Sequence, residues 1–159
     1  MPTMSVGCEM RSPVVDLSKA VIVDKFRAPS CERCAGNRGV EFSLESGSAI
    51  FSATAGIVSF SGEVGRVKYL VITTRNNRRI TYGRILTSSV RTGDVVVVGQ
   101  QIATSSALLY FGIREIYGDA VIYVDPMRYL TSRLNTGNAG RQFVLVSDSN
   151  NEYLMNAEC

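Results

Sequence analysis

Apolar and polar positions alternate in short runs through most of this chain, and glycine separates the runs. Gly39–Phe42 ends before a turn at Gly47, Ala49–Ala53 before Gly56, and Ile57–Phe60 before Gly62. Val64–Thr73 is longer and rich in β-branched residues. A polar tip at 75–79 follows, where asparagine accepts the positive φ of a tight hairpin. Arg79–Thr87 then runs back. Val95–Val98, Gln101–Thr104, Leu108–Glu115 and Val121–Tyr123 complete the series that Ala20–Phe26 begins. Strand-sized runs about 8–12 residues apart, joined by glycine turns, predict an all-β, antiparallel sandwich or barrel. Asp125 followed by Pro126 is an N-cap with proline at the first helical position, which predicts a short helix over 127–133. Residues 135–140 read as a linker, and Phe143–Val146 is one more apolar run. The expected division is an N-terminal arm over 1–19, a β domain over 20–133, and a linker and tail over 134–159.

Composition narrows the chemistry. A chain of 159 residues supports one domain with a real core. With 45% hydrophobic and 19% charged residues, it is not a disordered chain. Histidine is absent. That removes every mechanism that needs an imidazole as base, proton shuttle or metal ligand. The net charge of +3 is too small to argue for nucleic acid. No stretch approaches the ~20 apolar residues of a membrane helix, so no membrane span is expected. The N-terminal residues lack an apolar signal core, so the chain is either cytosolic or separated from its targeting segment.

Order and spacing of the motifs carry a resemblance. GNRGVEFSLESGSAIFSATAGIVSFSG, residues 36–62, resembles the opening of the lysostaphin/LytM-like zinc peptidase domain. That family reads His-x-Gly-hydrophobic-Asp and then Val-x-Ala-x-x-x-Gly-x-Val. ITYGRIL at 80–86 resembles its Thr-x-Tyr-x-His-Leu segment, and SVRTGDVVVVGQQIATS at 89–105 its Val-x-x-Gly-x-x-Val-x-x-Gly-Gln-x-Ile-Gly segment. ALLYFGIRE at 107–115 falls where the family has His-Leu-His-Phe-Glu-Ile-Arg, and YVDPMRYL at 123–130 resembles its closing Asp-Pro-x-x-x-Leu. The resemblance implies an antiparallel β-sandwich of the duplicated hybrid motif type. Biotinyl and lipoyl carriers and a sugar phosphotransfer domain share that fold. The tip at 75–79 carries neither their lysine nor their histidine, so those activities lose support.

The resemblance also shows which chemistry is missing. It places the family's three zinc ligands at Asn37, Glu41 and Tyr110, and its two proton-handling histidines at Leu108 and Arg84. Of these, Glu41 alone keeps a group suited to a metal. The resemblance therefore implies the fold and the cleft, with no catalytic residue, no metal site and no cofactor. Two readings of these positions stay open. Glu41 can form an ion pair with Arg84 or Arg114 that fills the old pocket, while Asn37 shapes its loop and Tyr110 and Leu108 lie on a face of their strand that is plain core. Alternatively, Glu41, Tyr82, Arg84 and Tyr110 contact a peptide or glycan.

Cys31 and Cys34 sit in turn chemistry between Pro29 and Gly36. A local disulfide is the leading reading if the protein is exported, and the pair would stay reduced in the cytosol. A zinc knuckle would need Cys8 and Cys159 from the chain ends. A bridge between those two would tie the termini. The basic tip at 75–79 is either a solvated hairpin end or a contact for an anionic surface.

The function implied is that of a non-catalytic domain of the bacterial cell envelope. Its expected partners are peptidoglycan or wall peptide, or a wall hydrolase, and its expected place is extracytoplasmic. The rivals are an endopeptidase using unfamiliar residues and a purely structural envelope module.

Overall fold

The computed structural model describes residues 10–130. Nine strands and one helical turn follow in order: β1 Val21–Asp24, β2 Gly39–Ser43, β3 Ala49–Phe51, β4 Gly56–Val64, β5 Val67–Thr73, β6 Arg79–Ser88, β7 Val95–Val96, β8 Gln101–Tyr117, β9 Ala120–Val124 and α1 Met127–Leu130. All pairings are antiparallel, and the ladder runs β1-β2-β8-β6-β5-β4-β7, with β3 and β9 also pairing with β8. The expected all-β antiparallel architecture with a short helix after Pro126 is what the chain adopts.

β8 departs from expectation. Gln101–Thr104 and Leu108–Glu115 are parts of a single strand of 17 residues. Nothing at 105–107 (Ser-Ser-Ala) can turn the chain, since no Gly or Pro interrupts it. The strand changes neighbours instead. Its first part pairs with β3 (Ala49 opposite Thr104), and its second with β2 (Ser43 opposite Leu108). One strand thus serves two layers, and the apolar side chains of both close on the core between them.

Alternation sorts the main layer cleanly. Val40 and Phe42 of β2, Leu109, Phe111 and Ile113 of β8, Ile80 and Tyr82 of β6, and Leu70 and Ile72 of β5 are buried on one face. Ile50 and Ile102 close the core from the other layer. Met10 and Val14, in the segment read as an arm, are also buried there. Backbone bonds hold that segment beside β3, from Arg11 N–H to the Ala53 carbonyl (3.1 Å) and from Phe51 N–H to the Pro13 carbonyl (2.9 Å).

Two turns move from their expected places. Gly62 does not end β4 but stays extended opposite Tyr69. The chain reverses at Gly65-Arg66, both at positive φ (57° and 66°), a two-residue hairpin loop matched to strand twist. Val64–Thr73 is therefore the end of one strand, a turn and a second strand. At the next hairpin Asn77 takes a φ of 62°, as its sequence predicts. The helix is described only over 127–130, where Met127 N–H donates to Asp125 Oδ1 (3.0 Å) as a cap. The rest of its predicted span, the tail, Cys8 and Cys159 lie outside the described residues.

Tyr82 ties the two layers together. Its side chain is fully buried, and its hydroxyl accepts the Ala53 N–H at 2.8 Å across the core. Burial pushes its pKa up, so the phenol is neutral at all ordinary pH. Tyr82 is thus a core residue and not a ligand contact, because alternation on β6 points it inward. Tyr82→Phe leaves a buried N–H without its acceptor. It should cost about 1–3 kcal/mol in urea denaturation, with little change in the slope of the transition.

Candidate functional site

The outer face of the main layer carries the residues that the sequence singles out. Register places Glu41 of β2 opposite Tyr110 of β8, Tyr110 opposite Gly83 of β6, and Gly83 opposite Tyr69 of β5. The next row out is Gly39, Gly112 and Thr81, and beyond it Arg114 faces Arg79. Leu108, Tyr110, Gly112 and Arg114 share this face through the two-residue period of β8.

Glycine makes room for tyrosine here. A Cβ on Gly39 would lie 2.8 Å from the Tyr110 ring, and one on Gly112 would lie 2.7 Å from its hydroxyl. The Tyr110 ring therefore covers the Gly39–Gly112 pair. Tyr69 does the same over Gly83, where a Cβ would lie 2.6 Å from its ring. Burial, reinforced by Tyr123 and Tyr69 nearby, pushes the Tyr110 phenol up to about 12.

Arg84 owes its position to a bulge. Strict alternation after Gly83 would send residue 84 into the core. Arg84 instead takes a φ of 62°, the β6–β8 register shifts, and Ile85 fills the core while the guanidinium stays outside. Its Nη2 then reaches Glu41 Oε1 at 3.3 Å. Of the two partners open to Glu41 in the sequence, the structure selects Arg84 over Arg114. The Arg84 side chain is 43% exposed, which limits the pair to about 0–1 kcal/mol. Asn37 is buried at the entry to β2. Its Nδ2 donates to the Lys25 carbonyl (3.2 Å), and its Oδ1 accepts the Gly39 N–H (3.3 Å). Its backbone pairs with Arg27. Cys31 and Cys34 form a disulfide in the loop just before it.

The site residues are not all in one hollow. Tyr110 lines a cleft of about 590 Å³ with Arg38, Tyr69, Arg79, Thr81, Arg114 and Tyr123. Arg84 and Leu108 line a separate hollow of about 400 Å³ with Arg66 and Lys68. Sequence reasoning named Tyr110 but missed the role of Arg79 and Arg114 in the cleft. The signal was available in the parity of β8, which puts Arg114 on the face of Tyr110.

The tip at 75–79 is not one basic patch. Arg78 turns to the far side of the sheet, where Nη2 meets Glu115 Oε1 at 2.7 Å and the guanidinium lies over the Tyr129 ring. Burial would raise the Glu115 carboxyl, but hydrogen bonds from Tyr129, Tyr117 and Arg78 hold it below its ordinary value. Arg79, one residue on, faces the cleft as alternation requires.

The profile of Peptidase family M23 matches residues 35–123. The chain belongs to this family. The fold agrees with solved structures. Csd3 of Helicobacter pylori superimposes with a TM-score of 0.66 at 22% identity, over 78% of this chain and 35% of Csd3. The chain thus spans about a third of the length of Csd3. A chain of the SpoIIIAH–SpoIIQ complex matches with a TM-score of 0.65 at 16% identity, over 77% of this chain and 100% of that one. The catalytic domain of the antimicrobial peptidase lysostaphin from Staphylococcus simulans matches with a TM-score of 0.60 at 16% identity, over 72% of this chain and 94% of that one. At these identities the likeness is one of fold. No curated protein matches the chain by sequence. Within the M23 family this is a degenerate member, with no histidine to bind zinc or move a proton. Among the described residues no His, Cys, Asp and Glu cluster could hold a metal ion, and no helix is long and apolar enough to cross a membrane.

The Tyr110 contact predicts a coupled effect. Gly112→Ala should destabilise the domain by about 1–2 kcal/mol, because the new methyl displaces the ring. In a Tyr110→Ala background the same change should cost little, and a denaturation double-mutant cycle measures the difference. The raised phenol also sets a pH window. The folded state holds the Tyr110 proton more tightly than the unfolded chain, so stability should fall as pH rises from 10 to 12. Tyr110→Phe should flatten part of that fall in urea midpoints measured across the range.

Proposed function

We propose that this chain is a non-catalytic M23 domain of the cell envelope. It binds peptidoglycan, or binds and regulates a true wall hydrolase, and it hydrolyses nothing itself. The donor chemistry at the three ligand positions carries this reading. Zinc in a catalytic site needs three deprotonated, convergent donors and an open position for water. Asn37 offers a neutral amide already committed to Lys25 and Gly39. Tyr110 holds its proton to about pH 12. Glu41 is engaged by Arg84. These residues do not fit zinc.

Leu108 and Arg84, at the proton-handling positions, cannot accept a proton at pH 7. General-base help of this kind is worth about 10²–10⁴-fold in rate. What remains is a cleft floored by tyrosines and rimmed by arginines, suited to holding a ligand. Tyr110 and the arginines are its contacts, with Glu41 and Arg84 at its neighbouring edge.

The Cys31–Cys34 disulfide supports an oxidising, extracytoplasmic location. The division into an arm over 1–19, a β domain over 20–133 and a tail over 134–159 belongs to this proposal, with Met10 and Val14 of the arm packed into the domain core. A second reading, a structural module in an envelope assembly, draws on the likeness to a chain of the SpoIIIAH–SpoIIQ complex, which is described as pore-forming.

The purified chain should carry no stoichiometric zinc by elemental analysis and release no muropeptides from sacculi at neutral pH. Bound zinc and muropeptide release, both lost in Glu41→Ala, would refute the non-catalytic reading. A pull-down on purified sacculi should retain the chain. Failure to retain it would refute direct wall binding and leave the hydrolase-regulating and structural readings.

A further inference from the structure

Arg79 and Arg114 stand directly opposite each other in antiparallel register. Like charges so placed repel. Both are partly buried, and among the described residues neither has a hydrogen bond or ion pair to an acidic group. The Nε of Arg114 is buried without a hydrogen-bond partner. No Asp or Glu lines the cleft that they enter. Arg38 adds a third guanidinium at its rim, held over the Tyr123 ring at 5.2 Å. Cationic side chains gathered at one end of a cleft lined by no acidic residue favour an anionic ligand there.

We infer that the Arg79–Arg114 end of the cleft binds the free carboxylate of a short peptide. This deepens the proposal above and rests on its reading of the cleft as a ligand-binding surface. The register explains the geometry. Gly112 and Thr81 occupy the row just before the arginine pair, and the Tyr110 ring lies over Gly112, so aromatic surface borders the guanidiniums. Two guanidiniums on adjacent strands, both lining the cleft, can together hold the two oxygens of a carboxylate.

The opposite wall selects a peptide over a phosphate polymer. Phe60, Val64 and Val71 line it with apolar surface. Aliphatic peptide side chains can cover that surface, and a phosphodiester chain has nothing to place there. The cleft volume of about 590 Å³ is within the range of small-ligand sites. The carboxylate end lies beyond Tyr110 and Gly112 on β8, on the side of Arg38 and Asn37 and away from Glu41.

The test is an NMR titration of the full chain with acetyl-trialanine, its C-terminal amide and inorganic phosphate, alongside the sacculus pull-down. The acid should bind at least about tenfold more tightly than the amide and shift amides of β6 and β8 around residues 79 and 114. Arg79→Gln and Arg114→Gln should each remove that preference, while Arg91→Gln, in an exposed turn, should leave it intact. The wild-type comparison of acid with amide decides the question even if an arginine variant fails to fold. Equal binding of acid and amide, or binding of neither, overturns the carboxylate inference. If sacculi still retain the chain, the broader reading survives that result. Phosphate binding more tightly than the acid at the same two arginines would also overturn it, and would assign the site to a phosphate ligand.

Discussion

The ring of Tyr110 lies across the Gly39–Gly112 pair, and much of this face depends on that contact. Two strands can approach there without side chains of their own only because a third residue supplies the cover. Phenol and aromatic ring occupy space at one of the positions where the family resemblance places a metal ligand. The same packing buries much of the ring and favours the protonated phenol. Tyr110 also divides the outer face. On one side of it along β8 lies Leu108 with the shallow hollow at Arg84, and on the other lies Arg114 with the larger cleft.

Once the metal positions are filled in this way, charge must be settled by other means. Glu41 keeps a carboxylate where a divalent cation would have balanced it, and Arg84 supplies the positive charge instead. That guanidinium arrives through a left-handed residue at a bulge, a conformation costing about 1 kcal/mol or more for a non-glycine residue. A partly exposed ion pair does not by itself offset such a cost. The larger gain is in the core, because the bulge puts Ile85 inside and spares Arg84 from burial. The ion pair is thus a consequence of core packing as much as of electrostatics.

Catalysis and binding separate cleanly on this framework. Hydrolysis needs a few atoms within hydrogen-bond or coordination distance of one bond. Binding needs a shaped surface and matched charges, and these are spread over several strands. On the proposed reading, replacing the imidazoles ends the first and leaves the second. The disulfide before Asn37, the buried amide of Asn37 and the Tyr82 bond to Ala53 all tie down the strands that carry that surface.

Sequence alone determined the strands, because alternation and glycine punctuation are local and the core face has a period of two. It also determined that no imidazole stands at the positions where the family places its zinc ligands, since no packing can create one. It misplaced the turns at Gly62 and at 105–107. A glycine can stay extended when a neighbouring ring covers it, and a strand can pass from one layer to another without a break. It grouped Arg78 with Arg79, although alternation sends adjacent residues to opposite faces. It offered Tyr82 as a surface contact, and only the register of β6 shows that this side chain spans the core. Which partner Glu41 would take depended on the bulge at residue 84, a response to core packing that no local pattern encodes. The confrontation of Arg79 with Arg114 was likewise decided by tertiary structure, since 35 positions separate them in the chain and only the pairing of β6 with β8 brings their charges together.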